Sequence, residues 1–213
     1  RSTMTITKEF LAPLGVMPVI VLDAVEDAVP VAVALQKGGI TSVEITLRTP
    51  VAIDCIKAVK AACPDLIVGC GTVVNEQDLE RVAEAGVDFA VSPGMTEALV
   101  KKAQALNVKL LPGVSTCSEI LQGMELGLTC FKLFPATAVG GIPLLKSING
   151  PLPQVTFCPT GGLTIEDFTD FLALPNVACV GGSWLVPKTA VDAKDWQAIT
   201  DIAATTVAKI KAM

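Results

Sequence analysis

The stretch VMPVIVLDAVEDAVPVAVALQKGGITSVEITLR (residues 16–48) contains one complete unit of the pattern that decides the fold. It begins with an apolar, strand-like run, and it ends with a second such run, SVEITLR. Between them lies an alanine- and valine-rich segment with helical spacing and an acidic start. A strand, a helix and a strand in this order predict that the two strands pair in parallel.

Strand-like runs recur outward from this unit, with segments of helical spacing between them. The eight runs begin at residues 16, 42, 66, 88, 108, 130, 155 and 178 and read VMPVIVLD, SVEITLR, LIVGCGT, DFAVSPG, VKLLPGVS, CFKLFPA, VTFCPTGG and ACVGGSW. Eight such units in 213 residues match a minimal closed barrel better than an open, doubly wound sheet. The sequence therefore predicts an α/β fold, a single (βα)8 TIM barrel.

The whole chain, residues 1–213, is predicted to form one domain, because no linker or insertion is long enough for a second one. The N-terminal segment, residues 1–15, precedes the first strand and is a candidate helix. Arg1 to Thr3 stand before Met4 as the remnant of an expression tag would, and they are left out of the fold prediction.

Composition argues against several kinds of partner. The net charge is −5, and the 16 basic residues are scattered along the chain. A surface of this kind does not attract a nucleic-acid backbone or an anionic membrane. The longest apolar runs have the length of strands, and the first ten residues lack the apolar core of a signal peptide. We expect a soluble, cytoplasmic protein without a nucleic-acid or membrane partner.

The reactive side chains are limited in kind. Histidine and tyrosine are absent, which removes Ser-His-Asp and Cys-His catalysis and every zinc site that uses imidazole. The seven cysteines are dispersed without a CxxC pair and are predicted to be buried, reduced thiols. Proton transfer must then use carboxylates, lysine, hydroxyls or water. We expect neither a metal nor another cofactor.

Lys132 lies inside the apolar, strand-like run CFKLFPA, where no partner for its charge is adjacent in sequence. Burial of an ammonium group lowers its pKa, so that the neutral and nucleophilic amine is populated near neutral pH. Lys132 is therefore a candidate nucleophile for a Schiff base. The alternative is a lysine on an edge strand whose head group reaches the solvent.

Strand periodicity brings further polar side chains to the interior. In SVEITLR, Val43, Ile45 and Leu47 alternate with Glu44, Thr46 and Arg48. Because apolar residues face the helices, Glu44 and Arg48 are predicted to face the barrel axis. Such groups are costly in a barrel interior unless they have a function. The alternative is a structural salt bridge between Glu44 and Arg48 or Lys132. The strands that carry Thr72, Lys132 and Thr160 do not reveal by pattern which face is inward.

Two glycine pairs follow the last two strands. PTGG (residues 159–162) and GGS (residues 181–183) each lead toward a helix. In TIM barrels the loops after strands seven and eight commonly bind phosphate through backbone N–H groups, and glycine permits close approach. Plain turns are the alternative at either place. The nucleotide-binding patterns GxGxxG and GxxxxGK[ST] are absent.

A set of motifs covering residues 16–187 resembles one enzyme family. The motifs are VEITLRT, VGCGTV, SPG, PGVST, FKLFPA, CPTGG and GGSWLVP. They are similar to those of 2-keto-3-deoxy-6-phosphogluconate (KDPG) aldolase, the bifunctional enzyme also called 4-hydroxy-2-oxoglutarate aldolase. The resemblance implies a carbon–carbon lyase of the Entner–Doudoroff pathway, a class I aldolase that is usually a homotrimer and acts on small 2-keto acids and their phosphorylated sugar forms.

The resemblance also implies a role for each matching residue. Lys132 would form the Schiff base, and Glu44 would be the acid and base. The pyruvate-binding part of the pocket would be lined by Arg48, Thr72 and Thr160, with Pro93 and Phe134 packed around it. The substrate phosphate would be held by Gly161, Gly162, Gly181, Gly182 and Ser183. One departure is Leu133, where the family often has phenylalanine, but strand periodicity directs it toward the helices.

Three other functions compete with this interpretation. A 6-phosphogalactonate aldolase would use the same lysine and differ in stereochemistry at C4. A catalytically silent phosphosugar-binding barrel would keep the glycine loops but would have no use for Glu44 and Lys132. A metal-dependent class II aldolase is disfavoured because histidine is absent.

Overall fold

The computed structural model describes residues 5–213, so Arg1 to Thr3 lie outside the described residues. Eight parallel strands form one sheet in the order β7-β6-β5-β4-β3-β2-β1-β8. The strands are β1 (Val16–Ile20), β2 (Ser42–Thr46), β3 (Ile67–Gly71), β4 (Phe89–Ser92), β5 (Leu110–Val114), β6 (Cys130–Leu133), β7 (Thr156–Pro159) and β8 (Val180–Gly182). Isolated parallel bridges, Phe157 to Val177 and Thr160 to Gly181, join the β7 and β8 edges. The predicted (βα)8 barrel is confirmed.

Helices follow the strands and surround the barrel. They are α1 (Lys8–Leu11), α2 (Ala28–Lys37), α3 (Ala52–Ala62), α4 (Glu76–Glu84), α5 (Glu97–Ala105), α6 (Cys117–Glu125), α7 (Ala136–Val139), α8 (Gly141–Asn149), α9 (Phe168–Leu172), α10 (Lys188–Asp192) and α11 (Trp196–Lys211). In the N-terminal segment, α1 and a 3-10 turn at Ala12–Leu14 provide the helical structure that was a candidate there.

Polar caps begin the helices that follow three of the strands. The side chains of Asn75, Thr96 and Thr116 each accept a hydrogen bond from the backbone three residues later, at the start of α4, α5 and α6. Each cap satisfies a backbone N–H that the first helical turn leaves without a partner. The helices therefore begin a few residues after β3, β4 and β5 end.

Each strand is shorter than the apolar run that predicted it. Strand β2 ends at Thr46, so Arg48 stands beyond it, and β3 ends at Gly71, so Thr72 begins the next loop. Phe134 and Thr160 likewise follow β6 and β7. These candidate site residues at the ends of the runs belong to the loops, which is where a barrel places its functional groups.

Two hydrophobic cores lie on either side of the sheet. The larger one fills the space between strands and helices and includes Val43, Ile45 and Leu133. The smaller one lies inside the barrel and includes Phe89, Val91, Leu111, Cys130 and Cys158, together with Leu11 of α1 and Leu14. The N-terminal segment thus packs against the interior core at the end of the barrel where the strands begin.

The interior core settles which face of β6 and β7 is inward. Cys130 and Cys158 belong to the interior core, whereas Phe131 and Phe157 belong to the outer one. Because side chains alternate along a strand, Lys132 and Thr160 share the inward face with the two cysteines.

The cysteines are all free thiols, and six of them are buried, but Cys117 is exposed. The prediction of buried thiols is wrong for Cys117, because it opens α6 on the surface. Burial raises the pKa of Cys55 and of Cys130 to about 11, which keeps both thiols protonated.

Candidate active site

Glu44 and Lys132 lie on opposite walls of the barrel and are both buried. Glu44 is in β2 and is 3% exposed, and Lys132 is in β6 and is 4% exposed. Lys132 is next to Gly113 of β5 and Cys158 of β7 in the strand register. A lysine that reaches the solvent from an edge strand would not be this deeply buried, so that alternative is excluded.

No salt bridge joins these groups within residues 5–213. The ion pairs of this part of the chain connect other residues, and none includes Glu44, Arg48 or Lys132. The alternative of a structural ion pair between Glu44 and either cation is therefore not what the structure shows.

Burial changes the proton affinity of both groups. It raises the pKa of the Glu44 carboxyl, while the positive charges of Lys132 and Arg48 oppose this rise. It lowers the pKa of the Lys132 amine, while the Glu44 carboxylate opposes this fall. Each group is shifted toward its neutral form. The site can thus present a nucleophilic amine and a carboxyl group that carries a proton.

Arg48 is held at the mouth of the barrel by Thr72. Its Nε donates a hydrogen bond of 3.1 Å to Thr72 Oγ1. Thr72 has a φ of +59°, a left-handed conformation that is unusual for a β-branched residue. The bond uses one of the five guanidinium N–H groups, and the others can bind a carboxylate.

Phe134 and Pro93 lie on the same side of the site as the lysine. The Lys132 Nζ atom is 4.4 Å from the centroid of the Phe134 ring, which is within the range of a cation–π contact. Pro93 follows β4, and its carbonyl oxygen lies so close to Gly113 that no side chain would fit there. Gly113 is the register neighbour of Lys132.

A cleft of about 240 Å³ opens above these residues. It is lined by Val19, Arg48, Phe134, Thr160, Gly161, Gly162, Leu163, Gly181, Gly182 and Ser183. The cleft thus brings together the two glycine loops, the guanidinium and the aromatic ring that the sequence singled out. Thr72, Pro93 and the buried Glu44 and Lys132 lie outside this lining, although the lining residue Phe134 contacts Lys132.

Val19 and Leu163 are lining residues that sequence reasoning missed. Val19 is in β1, where the neighbouring apolar residues conceal its inward direction. Leu163 directly follows PTGG, and an apolar residue in a loop gives no sequence signal that it lines a cleft. In β1, the alternation that places Met17 in the interior core could have identified Val19.

The two glycine pairs serve different geometrical needs. Gly161 and Gly162 have φ angles of +105° and +83°, which side chains rarely adopt. Gly181 and Gly182 have ordinary backbone conformations but lie against Thr160 and the Trp184 ring. Both pairs line the cleft, although Gly181 and Gly182 are buried and Gly162 is exposed.

The model of the family described as KDPG and KHG aldolase matches residues 7–202. The chain belongs to this family. The KHG/KDPG aldolase of Escherichia coli strain K12 is 49% identical over 203 residues, which cover 95% of each chain.

Two solved structures of KDPG aldolases are similar to this one. The enzyme from Legionella pneumophila, with pyruvate captured at low pH as a covalent carbinolamine intermediate, has a TM-score of 0.91 and 45% identity, and the match covers 94% of this chain and 98% of the other. The enzyme of Zymomonas mobilis ZM4 with 3-phosphoglycerate has a TM-score of 0.85 and 43% identity, and the match covers 93% and 94% of the two chains.

Within residues 5–213, no group of three or more cysteine, aspartate or glutamate side chains is arranged to hold a metal ion. No helix in the same part of the chain is long and apolar enough to cross a membrane.

Proposed function

We propose that this chain is a class I aldolase that cleaves KDPG to pyruvate and glyceraldehyde 3-phosphate through a Schiff base on Lys132. It would also cleave 4-hydroxy-2-oxoglutarate (KHG) to pyruvate and glyoxylate. The single observation that carries the proposal is the burial of an unpaired Lys132 across the barrel from Glu44, because burial favours the neutral amine.

The first steps join substrate and enzyme. The neutral Lys132 amine attacks the C2 ketone of the 2-keto acid and forms a carbinolamine. Glu44, directly or through a water molecule, donates the proton with which the C2 hydroxyl leaves as water. The product is an iminium that withdraws electrons from the C3–C4 bond.

Cleavage requires a base at the C4 hydroxyl. Glu44, now a carboxylate, removes the C4 hydroxyl proton, and the C3–C4 bond breaks. The electron pair of that bond moves toward the iminium nitrogen, and the iminium becomes an enamine. The aldehyde leaves. The pyruvate enamine on Lys132 then takes a proton at C3, and water hydrolyses the resulting iminium to release pyruvate and the free amine.

The remaining residues of the site would hold the two anionic ends of the substrate. Arg48, fixed by Thr72, is suited to the pyruvyl carboxylate because its charge is permanent and it can bind with two N–H groups. Thr160 and Phe134 would complete this part of the pocket, with Pro93 packed beside it. The phosphate would be bound at the other side of the cleft by Gly161, Gly162, Gly181, Gly182 and Ser183.

We further propose that the enzyme is a cytoplasmic homotrimer, as its family resemblance implies. Light scattering on the purified protein should give three times the 22.1 kDa mass of the chain. A monomeric mass would contradict the trimer and leave the reaction unaffected.

Borohydride reduction with pyruvate, followed by peptide mapping, tests the reaction. One reduced pyruvyl group should appear on Lys132, and Lys132→Met should abolish both trapping and aldol cleavage. Labelling of the exposed Lys146 or the half-buried Lys109 instead, or no labelling, would rule out the mechanism. Assay of both C4 epimers of the phosphorylated substrate separates KDPG cleavage from the phosphogalactonate alternative, and inactivity on both with retained binding would favour a silent barrel.

A further inference from the structure

Gly71, the last residue of β3, leaves open the space that the Glu44 side chain occupies. A Cβ atom at Gly71 would lie 2.8 Å from Glu44 Cδ and 3.1 Å from Cγ, and it would overlap Oε2. These separations are shorter than those at which carbon atoms make favourable contact. The carboxylate of β2 therefore lies directly against the bare α-carbon of the neighbouring strand.

Polar contacts do not fix the carboxylate in this place. Among residues 5–213, no ion pair or hydrogen bond of the protein involves the Glu44 side chain. The neighbouring polar groups have other partners, since Thr46 donates to the carbonyl oxygen of Ile20 and Arg48 donates to Thr72. Packing and burial thus determine where the carboxylate lies.

We propose that Gly71 is a positioning residue, whose missing side chain forms a slot that aims the Glu44 carboxylate at the bound substrate. A carboxylate held by hydrogen bonds would be a weaker base, because donors stabilise its charged form. A carboxylate held by shape keeps its lone pairs for the substrate proton. The inference rests on the proposed role of Glu44 as acid and base.

The other inward glycines accommodate different groups. A Cβ at Gly69 would meet the ring of Phe89, one at Gly113 would meet the carbonyl of Pro93, and one at Gly181 would meet Thr160. Of the glycines within residues 5–213, Gly71 is the one whose open side is filled by a carboxylate. Its φ angle is not in the left-handed region, so the backbone can accept alanine.

A methyl group at Gly71 should push the carboxylate away from β3 and toward the barrel axis. There it faces Lys132 of β6 and Arg48, the two cations whose charges already act to lower the pKa of Glu44. Displacement of a catalytic group by about 1 Å can lower a rate by about 10²-fold. We expect Gly71→Ala to lower kcat for KDPG cleavage by about this factor and to change KM for KDPG much less.

A double-mutant cycle tests the slot. Gly71→Ala, Glu44→Asp and the double variant are compared by kcat and by deuterium exchange into the methyl group of pyruvate, which reports proton transfer on the enamine. Aspartate is one methylene shorter and lacks Oε2, the atom that the alanine methyl group would overlap, so the alanine should then cost much less. The double variant should therefore lose far less relative to Glu44→Asp than Gly71→Ala loses relative to the wild type. Gly94→Ala is the matched control, because a Cβ at Gly94 would meet nothing within 4 Å.

The outcomes separate the two proposals. Double-variant rates that equal the product of the two single losses, or wild-type rates for Gly71→Ala, would overturn the slot. Wild-type rates for both Glu44→Asp and Glu44→Gln would refute the catalytic role of Glu44 and the slot with it. Because the double variant lacks Oε2, the atom with the shortest overlap, its comparison with Glu44→Asp decides the question even if Gly71→Ala alone does not fold.

Discussion

Burial of Glu44 and Lys132 couples the two groups across the interior of the barrel. Each charge stabilises the charged form of the other, while desolvation opposes both charges and is the larger influence on each. The amine can therefore be neutral where an exposed lysine would be protonated. This is the property that a Schiff-base nucleophile needs.

The pKa of Lys132 should respond in opposite directions to two substitutions. The Glu44 carboxylate raises this pKa and the Arg48 guanidinium lowers it, in addition to burial and the influence of Cys158. Glu44→Gln should therefore lower the pKa of Lys132 further, and Arg48→Met should raise it. The measurement is a 13Cε NMR titration of labelled lysine, with the resonance assigned by its loss in Lys132→Met. A rise in Glu44→Gln would contradict this coupling.

The hydroxyl of Thr72 should matter through Arg48. Thr72→Val keeps the β-branched shape at the left-handed φ but removes the acceptor of the Arg48 Nε hydrogen bond. Because Arg48 is exposed, solvent weakens this hydrogen bond to about 0.5–1 kcal/mol, so KM for pyruvate in methyl-proton exchange should rise about two- to fivefold. Thr72→Ser keeps the hydroxyl and is the control. Equal KM values in the two variants would show that Arg48 is oriented by other contacts.

Periodicity placed Glu44 inside the barrel but did not reveal the space around it. The alternation in β2 correctly predicted that Glu44 faces inward, because the apolar residues Val43 and Ile45 alternate with it. The slot at Gly71 was not predictable in this way, because a glycine has no side chain whose polarity reveals its direction. The slot exists because β3 pairs with β2 in one particular register, and strand register depends on tertiary packing.

At the level of elements, the loop after β8 depends on helix α11. The Trp184 ring lies against Gly182, packs on Phe168 with centroids 5.1 Å apart, and donates its indole N–H to Thr206 Oγ1 at 3.2 Å. Thr206 is in α11 and is fully buried. The loop that we propose binds the phosphate is thus supported by the C-terminal helix.

Thr206→Val should weaken phosphate recognition more than chemistry. It removes the acceptor for the Trp184 indole, which should cost about 1 kcal/mol of stability and loosen the glycine loop. KM should rise for KDPG and remain nearly unchanged for KHG, which has no phosphate. Thr200→Val is the control on the same helix, since Thr200 donates to the carbonyl of Ala34 away from the loop. A similar KM ratio in both variants would show that only global stability is affected.

Substitutions of the loop glycines themselves are less specific tests. A Cβ at Gly162 would lie 2.6 Å from Thr137 Oγ1, and one at Gly182 would overlap the Trp184 ring. Larger side chains there would displace the protein's own groups as well as block an anion. These contacts depend on how β7, β8 and their loops pack, so the sequence patterns PTGG and GGS suggested a phosphate site without revealing what supports these loops.

On the scale of the whole molecule, one end of the barrel contributes to stability and the other carries the candidate site. The eight alternating segments predicted the closed sheet, because parallel strands and their helices leave few other architectures. The packing of the N-terminal segment against the interior core was not predictable from its short helix. It follows from Leu11 and Leu14 meeting Met17 and Phe89 at the ends where the strands begin.

Substitutions at this closed end should therefore affect stability and spare catalysis. Leu11 is fully buried in the interior core, and Leu11→Ala should lower the free energy of unfolding by about 2–5 kcal/mol through lost burial and a residual cavity. The folded fraction should keep its kcat, because Glu44 and Lys132 lie nearer the opposite end. Urea denaturation and activity at low temperature provide the two measurements, and Leu121→Ala, at an exposed leucine, is the control that should change neither. A large loss of kcat in folded Leu11→Ala would mean that the interior core transmits strain from the N-terminal segment to the catalytic pair, and the separation of tasks between the two ends would not hold.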